Sequence, residues 1–240
     1  MTQRSLWPRE HGAYFQLAIP VVVACLRHTP SVAMLLITAA AGLAFVANEP
    51  LRVALGHRGR RRRAEDGRRA RTHLAVLVPA AAGLGLAGLA VAPAGTITAA
   101  LIVAVPVAVA IACAVRRTAH TLPGELVATV ALTGASLPVQ IAGGVARAAA
   151  LDVWLGWSLG FAASTIAVHR VIARHKRAAS LIDRACAVGL AGGLAACLVF
   201  ASPGRAIAAP LIGLAAILVI APPSAARLRA IGLTTAAVLP

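Results

Sequence analysis

Long apolar runs, separated by short breaks that hold nearly all the arginines, constrain this chain more than any other feature. A helix needs about 20 apolar residues to cross roughly 30 Å of hydrocarbon. In lipid, only helices and closed barrels satisfy their own backbone polar groups. We read spans at 12–28, 30–48, 73–92, 96–115, 124–146, 151–169, 182–201 and 206–222, with a short ninth at 228–240. The expected fold is an all-α polytopic membrane protein of eight or nine transmembrane helices, forming a single transmembrane domain over residues 1–240.

Composition agrees with this reading. Only 12% of the 240 residues are charged, about half the usual share of a soluble domain. Too few polar residues remain to cover a water-facing surface. The net charge of +16 does not point to nucleic acid, because the basic residues sit in the breaks between spans. Lys and Arg mark cytoplasmic loops in this way. With the N-terminus inside, all of the 23 basic residues except Arg27, Arg147 and Arg205 fall on the cytoplasmic side. The expected location is the inner (plasma) membrane, with the N-terminus cytoplasmic. The Arg60 to Arg63 run reads as a topogenic patch that meets anionic lipid headgroups.

Several local patterns have simple readings. Cys25, Cys113, Cys186 and Cys197 contain no CxxC pair and read as small packing residues. Gly83, Gly85 and Gly88 spell GxGxxG inside span 3 without a preceding strand, so no dinucleotide site is implied. Gly156 with Gly160, and Gly189 with Gly193, form GxxxG pairs suited to close helix packing. Trp154 and Trp157 open span 6, where indoles can rest at the headgroup level. The many alanines read as composition and carry little functional information.

The informative polar residues gather at the cytoplasmic helix mouths. Glu10 and His11 open span 1, Asn48 and Glu49 close span 2, Glu125 opens span 5, and His169 and Arg170 close span 6. Ionisable groups at that depth pair with one another or line a wet cavity. We expect a cytoplasm-facing pocket built from them. The two longest basic loops follow spans 2 and 6, which suggests pseudo-repeat halves 1–117 and 118–240.

Two segments carry a family resemblance. Pro8-Arg9-Glu10-His11-Gly12-Ala13, and Asn48-Glu49-Pro50 followed by Gly56-His57-Arg58-Gly59-Arg60, resemble the YwiC-like family of bacterial membrane proteins. In topology the chain also resembles the UbiA superfamily of intramembrane prenyltransferases. That resemblance implies a bundle of two four-helix halves whose active loops follow helices 2 and 6. It also implies Asp-rich motifs holding Mg²⁺ for a prenyl diphosphate. Here the corresponding positions offer Asn48, Glu49, Arg52, His57 and Arg58, then His169, Arg170, Arg174 and His175, with Asp183 alone further on. Arginines can grip an anionic oxygen directly through a planar fork.

The substrate-binding candidates are therefore Glu10, His11, Asn48, Glu49, Arg52, His57, Arg58, Glu125, His169, Arg170 and Arg174. Mg²⁺ stays open as a cofactor although the Asp-rich motifs are absent. The expected partners are membrane lipids, anionic headgroups at the basic loops and an isoprenoid or lipid ligand. Three functions remain open: a divergent UbiA-like lipid or isoprenoid enzyme, a transporter for a small anion or amphipathic acid, and a non-enzymatic accessory protein. The topology is directly testable. Cysteines placed singly at Arg62 and Gly95 should label from opposite faces of sealed vesicles, and labelling from one face would overturn it.

Overall fold

The computed structural model describes residues 6–8, 11–175, 189–190, 192–193, 202 and 204–220. Within them the chain forms α1 (His11–Arg27), α2 (Val32–Ala54), α3 (Arg60–Val91), α4 (Gly95–Val115), α5 (Leu122–Gly134), α6 (Ser136–Ala142) and α7 (Arg147–His175). A 3-10 turn (Arg205–Ile207) then leads into α8 (Ala208–Ile220). Among the described residues, five helical stretches are long and apolar enough to cross a membrane: Val32–Ala54, Arg60–Val91, Gly95–Val115, Leu122–Ala142 and Arg147–Val171. Two shorter apolar helices, Gly12–Arg27 and Arg205–Ile220, accompany them. The chain is an integral membrane protein built of helices. The expected spans at 182–201 and 228–240 lie outside the described residues, apart from the four isolated positions between 189 and 193.

The basic loop expected over 49–72 is mostly helix. Arginine is a good helix former, and α3 begins at Arg60, within the charged stretch. Arg61 pairs with Glu65, and Arg62 with Asp66, one turn apart. The true connection is the short turn from Leu55 to Gly59. There Gly56, at φ 78°, lets the Gly56 N–H bond to Val53 O and the His57 N–H to Arg52 O, closing the end of α2. At 1.5 Å per residue, the 32 residues of α3 run to about 48 Å. Its charged first turns therefore extend past the hydrocarbon.

Glu49 locks this hairpin. Its carboxylate is 1% exposed and takes Arg58 Nε at 3.0 Å and Arg58 Nη2 at 2.5 Å. Arg62 Nη1 of α3 approaches Oε1, the oxygen that also takes Arg58 Nε, at 3.4 Å. Arg62 therefore departs from the expected lipid-facing patch. It is nine-tenths buried among acidic groups, and the exposed Arg61 is the better labelling position. Glycine does the rest of the fitting: a Cβ added at Gly88 would lie 2.8 Å from Ile37 Cγ1. The GxGxxG stretch thus brings α3 onto α2.

The opposite end of the bundle is closed by packing. All of α6 is buried, between Ala24, Met34 and Ile37 on one side and Ala99, Val103 and Ala150 on the other. Pro138 cannot donate to the carbonyl four residues earlier, which accounts for the break between α5 and α6 at Ala135. Ser136 bonds to Thr133 O at 2.8 Å in compensation. Ser31 caps α2 and also donates to Ala142 O at 3.2 Å. Gly156 lies against Gly204, and Gly160 against Leu211, so the GxxxG pair seats α7 on the turn before α8 and on α8 itself. The two indoles of α7 depart from the headgroup expectation. Trp157 is 1% exposed, packed with Phe161 and Leu211, and Trp154 donates inward to Val130 O at 3.3 Å.

Removing one partner of a buried ion pair leaves an uncompensated charge, at a cost on the order of 3–5 kcal/mol. Glu49→Ala should therefore lower thermal stability in detergent sharply, whereas exposed Glu65→Ala should barely move it. Equal small effects of both substitutions would refute the structural role of Glu49.

Candidate functional site

Alanine and glycine on the inner faces of the helices leave a space that larger side chains would fill. It is a cavity of about 1700 Å³, walled by residues of α1 to α8. Typical small-molecule sites occupy roughly 300–1,000 Å³, so this one exceeds the needs of a drug-sized ligand. The walls are overwhelmingly apolar: Phe15, Phe45, Ala81, Val107 and Leu132 are representative. α3 packs chiefly on α2, and its seam with α4 is loose. Val78 of α3 and Val107 and Ile111 of α4 line the cavity and are also exposed. Among the described residues, the cavity thus opens sideways between those two helices.

Its polar groups are concentrated at one end. Asn48 and Arg52 descend from α2, His120 from the α4–α5 loop and Glu125 from the first turn of α5. Local structure explains their placement. Arg117 takes a left-handed φ of 63° as Thr118 N–H bonds back to Cys113 O, turning the chain at the end of α4. The loop then folds over Gly124, where any Cβ would strike the carbonyl of Thr118. Thr121 caps α5 by accepting from Gly124 N–H at 3.3 Å. Glu125 consequently sits at a helix N-terminus, which favours its negative charge.

A line of contacts crosses the mouth. Arg52 Nη2 donates to His120 Nε2. A guanidinium has no acceptor, so the proton of a neutral His120 resides on Nδ1, which faces Glu125 Oε1 at 3.9 Å. The other Glu125 oxygen lies 2.7 Å from His169 Nε2 of α7. Below this pair the α5–α7 seam continues with Thr129 and Thr165 at 3.3 Å and Thr133 and Ser158 at 2.9 Å. Tyr14 completes one flank, donating to Pro8 O at 3.0 Å and packing edge-on against Phe45 at 4.8 Å.

The sequence candidates divide by location. Asn48, Arg52 and Glu125 border the cavity, and His169 reaches it through Glu125. Glu49 and Arg58 are bound to each other at the hairpin base. His57 lies in the turn beside Arg52 and Arg117, and Arg170 is half-buried next to His169, outside the cavity wall. Glu10 lies outside the described residues, as does Asp183. Of His11 and Arg174 only the backbone is described, within α1 and α7. His120, Gln16 and Thr129 line the cavity without having been singled out in the sequence. His120 lay in a short loop and not at a helix mouth, so its position gave no signal.

Mg²⁺ asks for near-octahedral oxygen coordination, usually through one or two carboxylates with waters and phosphates. Among the described residues, no three His, Cys, Asp or Glu side chains converge as a metal site. Glu49 is occupied by arginines, and Glu125 has imidazoles near both oxygens. These described residues do not fit the ion.

His57 carries a pH dependence. Burial, aided by the charges of Arg117 and Arg52, holds its imidazole below the ordinary value of 6.5. The unfolded chain then binds a proton that the folded chain refuses, so stability falls as pH drops through that value. Lowering the pH from 8 to 5.5 should reduce the thermal midpoint less in His57→Gln than in the wild type. An unchanged difference would place the acid sensitivity elsewhere.

Comparison with known proteins is consistent with the membrane architecture. The YwiC-like protein family matches residues 7–141, a stretch covering both sequence segments noted above and the helices from α1 to nearly the end of α6. No curated protein and no solved structure matches the chain. On a match that spans more than half its length, the chain belongs to the YwiC-like protein family.

Proposed function

We propose that this protein draws an anionic amphiphile from the bilayer through the α3–α4 gap and holds its headgroup at the polar mouth. The observation that carries this reading is the sorting of polarity within one cavity. Apolar walls fill most of about 1700 Å³, and Asn48, Arg52, His120 and Glu125 stand together at one end. A ligand with a long apolar tail and a phosphate or carboxylate head matches both parts. Arg52 and Asn48 supply the donors, with His120 beside Arg52, while Glu125 and His169 give a proton acceptor beside the headgroup.

On this reading the mouth faces the cytoplasm of a plasma-membrane protein with eight or nine helices. Two four-helix halves, 1–117 and 118–240, flank the cavity in a UbiA-like plan. The donor-rich mouth suits a divergent lipid- or isoprenoid-handling enzyme whose first step needs no divalent ion. Packing of α6 and of Trp157 on Phe161 at the far end favours lipid capture over conduction across the membrane.

The test uses the full chain in nanodiscs and measures binding of a prenyl diphosphate and a fatty-acyl phosphate, with and without chelator. Loss of one hydrogen bond to a charged headgroup costs about 1.5–3 kcal/mol, or roughly ten- to hundred-fold in affinity. Arg52→Gln should show that loss, with chelator making no difference. Ala44→Trp, which places bulk in the cavity without touching the mouth, should also block binding. Binding unchanged in both variants would overturn the proposal, and strict dependence on Mg²⁺ would overturn its metal-free mouth.

A further inference from the structure

The dimensions of the large cavity say how many tails it holds. On α2 its lining runs fifteen residues, from Arg52 at the mouth to Ile37, and on α3 fifteen, from Leu74 to Leu89. On α7 it runs ten, from Val171 to Phe161. At 1.5 Å per residue these stretches measure about 15 to 23 Å, which gives a depth of about 20 Å. The deep end is closed among the described residues: Ile37 is 8% exposed, and Pro138 belongs to the wholly buried α6. The side opening begins nearer the mouth, at Val78, one turn along α3 from Leu74.

Depth sets tail length, and width sets tail number. An extended polypeptide advances about 3.3–3.6 Å over the three bonds of each residue, so an extended hydrocarbon chain gains about 1.2 Å per bond and reaches the floor with about sixteen carbons. A volume of about 1700 Å³ spread over about 20 Å gives a mean cross-section of about 85 Å². Carbon atoms in contact stand about 3.5–4.0 Å apart, so one extended chain with its hydrogens occupies a cross-section of roughly 20 Å². A single straight tail would leave three-quarters of the space empty, and wall atoms facing a void forfeit their contacts. Half of the volume would still admit two chains. We infer that the cavity takes a two-tailed lipid, with a phosphate head at the mouth and two chains of about sixteen carbons side by side between α2, α4, α5 and α7. This rests on the capture of an anionic amphiphile proposed above and names its class. A lipid of that shape already stands in the bilayer beside the α3–α4 opening, so lateral entry requires no passage through water.

The test uses the full chain in an alkyl maltoside, free of other phospholipid. Phosphatidic acid with two sixteen-carbon chains competes with lysophosphatidic acid carrying one, and native mass spectrometry counts the bound lipid. The expected result is one phosphatidic acid per protein, retained about ten-fold or more over the single-tailed form. Arg52→Gln should weaken both lipids alike. Ala41→Phe, which narrows the cavity from α2, should weaken phosphatidic acid and spare the lysolipid, with Ala128→Phe on α5 as the alternative if that variant does not fold. Phosphatidic acids with chains of twelve and twenty carbons should bind less well than the sixteen-carbon form. Equal retention of the two lipids, or two lysolipids bound together, would overturn the two-tailed class while Arg52-dependent binding still upheld capture at the mouth. Preference for geranylgeranyl phosphate over phosphatidic acid would mean that one folded isoprenoid fills the space, and would overturn it as well. Binding of none of these lipids would overturn capture itself.

Discussion

One buried carboxylate organises the open end of this protein. Glu49 meets Arg58 and Arg62 at the base of the α2–α3 hairpin, and its neighbours on α2, Asn48 and Arg52, line the mouth. A charge at this depth is costly unless matched, and the match here ties α2 to the connecting turn and to the first turn of α3. With that end fixed and Gly88 set against Ile37 further along, α3 is committed to α2 over its length. Its other faces stay open, with Val78 and Leu86 exposed. The lateral gap lies along the side of α3 that the hairpin leaves uncovered.

The two ends of the bundle solve the packing problem differently. Lipid tails are as apolar as leucine, so helices in a membrane associate through close packing and hydrogen bonds, with little help from apolar burial. At the far end, α6 is wholly buried between its neighbours, and Gly156 and Gly160 bring α7 onto the chain before α8 and onto α8 itself. At the mouth the same small residues face inward without a partner helix to fill against. Alanine serves close contact at one end and open space at the other.

That dual use limits how far the sequence can be read. Span positions were legible because a helix must be apolar for a fixed length, and α1 to α7 fall where the apolar runs lie. The gathering of Asn48, Glu125 and His169 was legible because polar residues at helix mouths are rare in such a chain, and Arg52 entered only through the superfamily resemblance. The roles of Glu49 and Arg58 were not, because a carboxylate bound to two arginines and one waiting for a ligand look alike in sequence. Arg62 was lost within a run of four arginines, and only the helical phase of α3 separates it from Arg61. His120 depended on the left-handed turn at Arg117, which no residue type at that position announces. The cavity was hidden in alanines, whose abundance read as composition.

The hydroxyl seam between α5 and α7 follows from the cavity itself. Both helices border the empty space and so lack packing atoms along one side. Hydrogen bonds between membrane helices contribute about 0.6 to 2 kcal/mol each, comparable to the van der Waals contacts of a few buried methyl groups. Thr129 with Thr165 and Thr133 with Ser158 are spaced along the seam below Glu125 and His169. On α5 both hydroxyls have a local acceptor, Thr129 donating to Glu125 O and Thr133 to Thr129 O. Thr165 and Ser158 of α7 are therefore the donors across the seam. Parting the helices would leave Thr129 and Thr133 satisfied and cost only the cross-seam bonds of Thr165 and Ser158. A wall held by two such bonds would part at modest cost, which is what the proposed entry of an apolar tail asks of it. A seam of interlocked leucines would resist such a change.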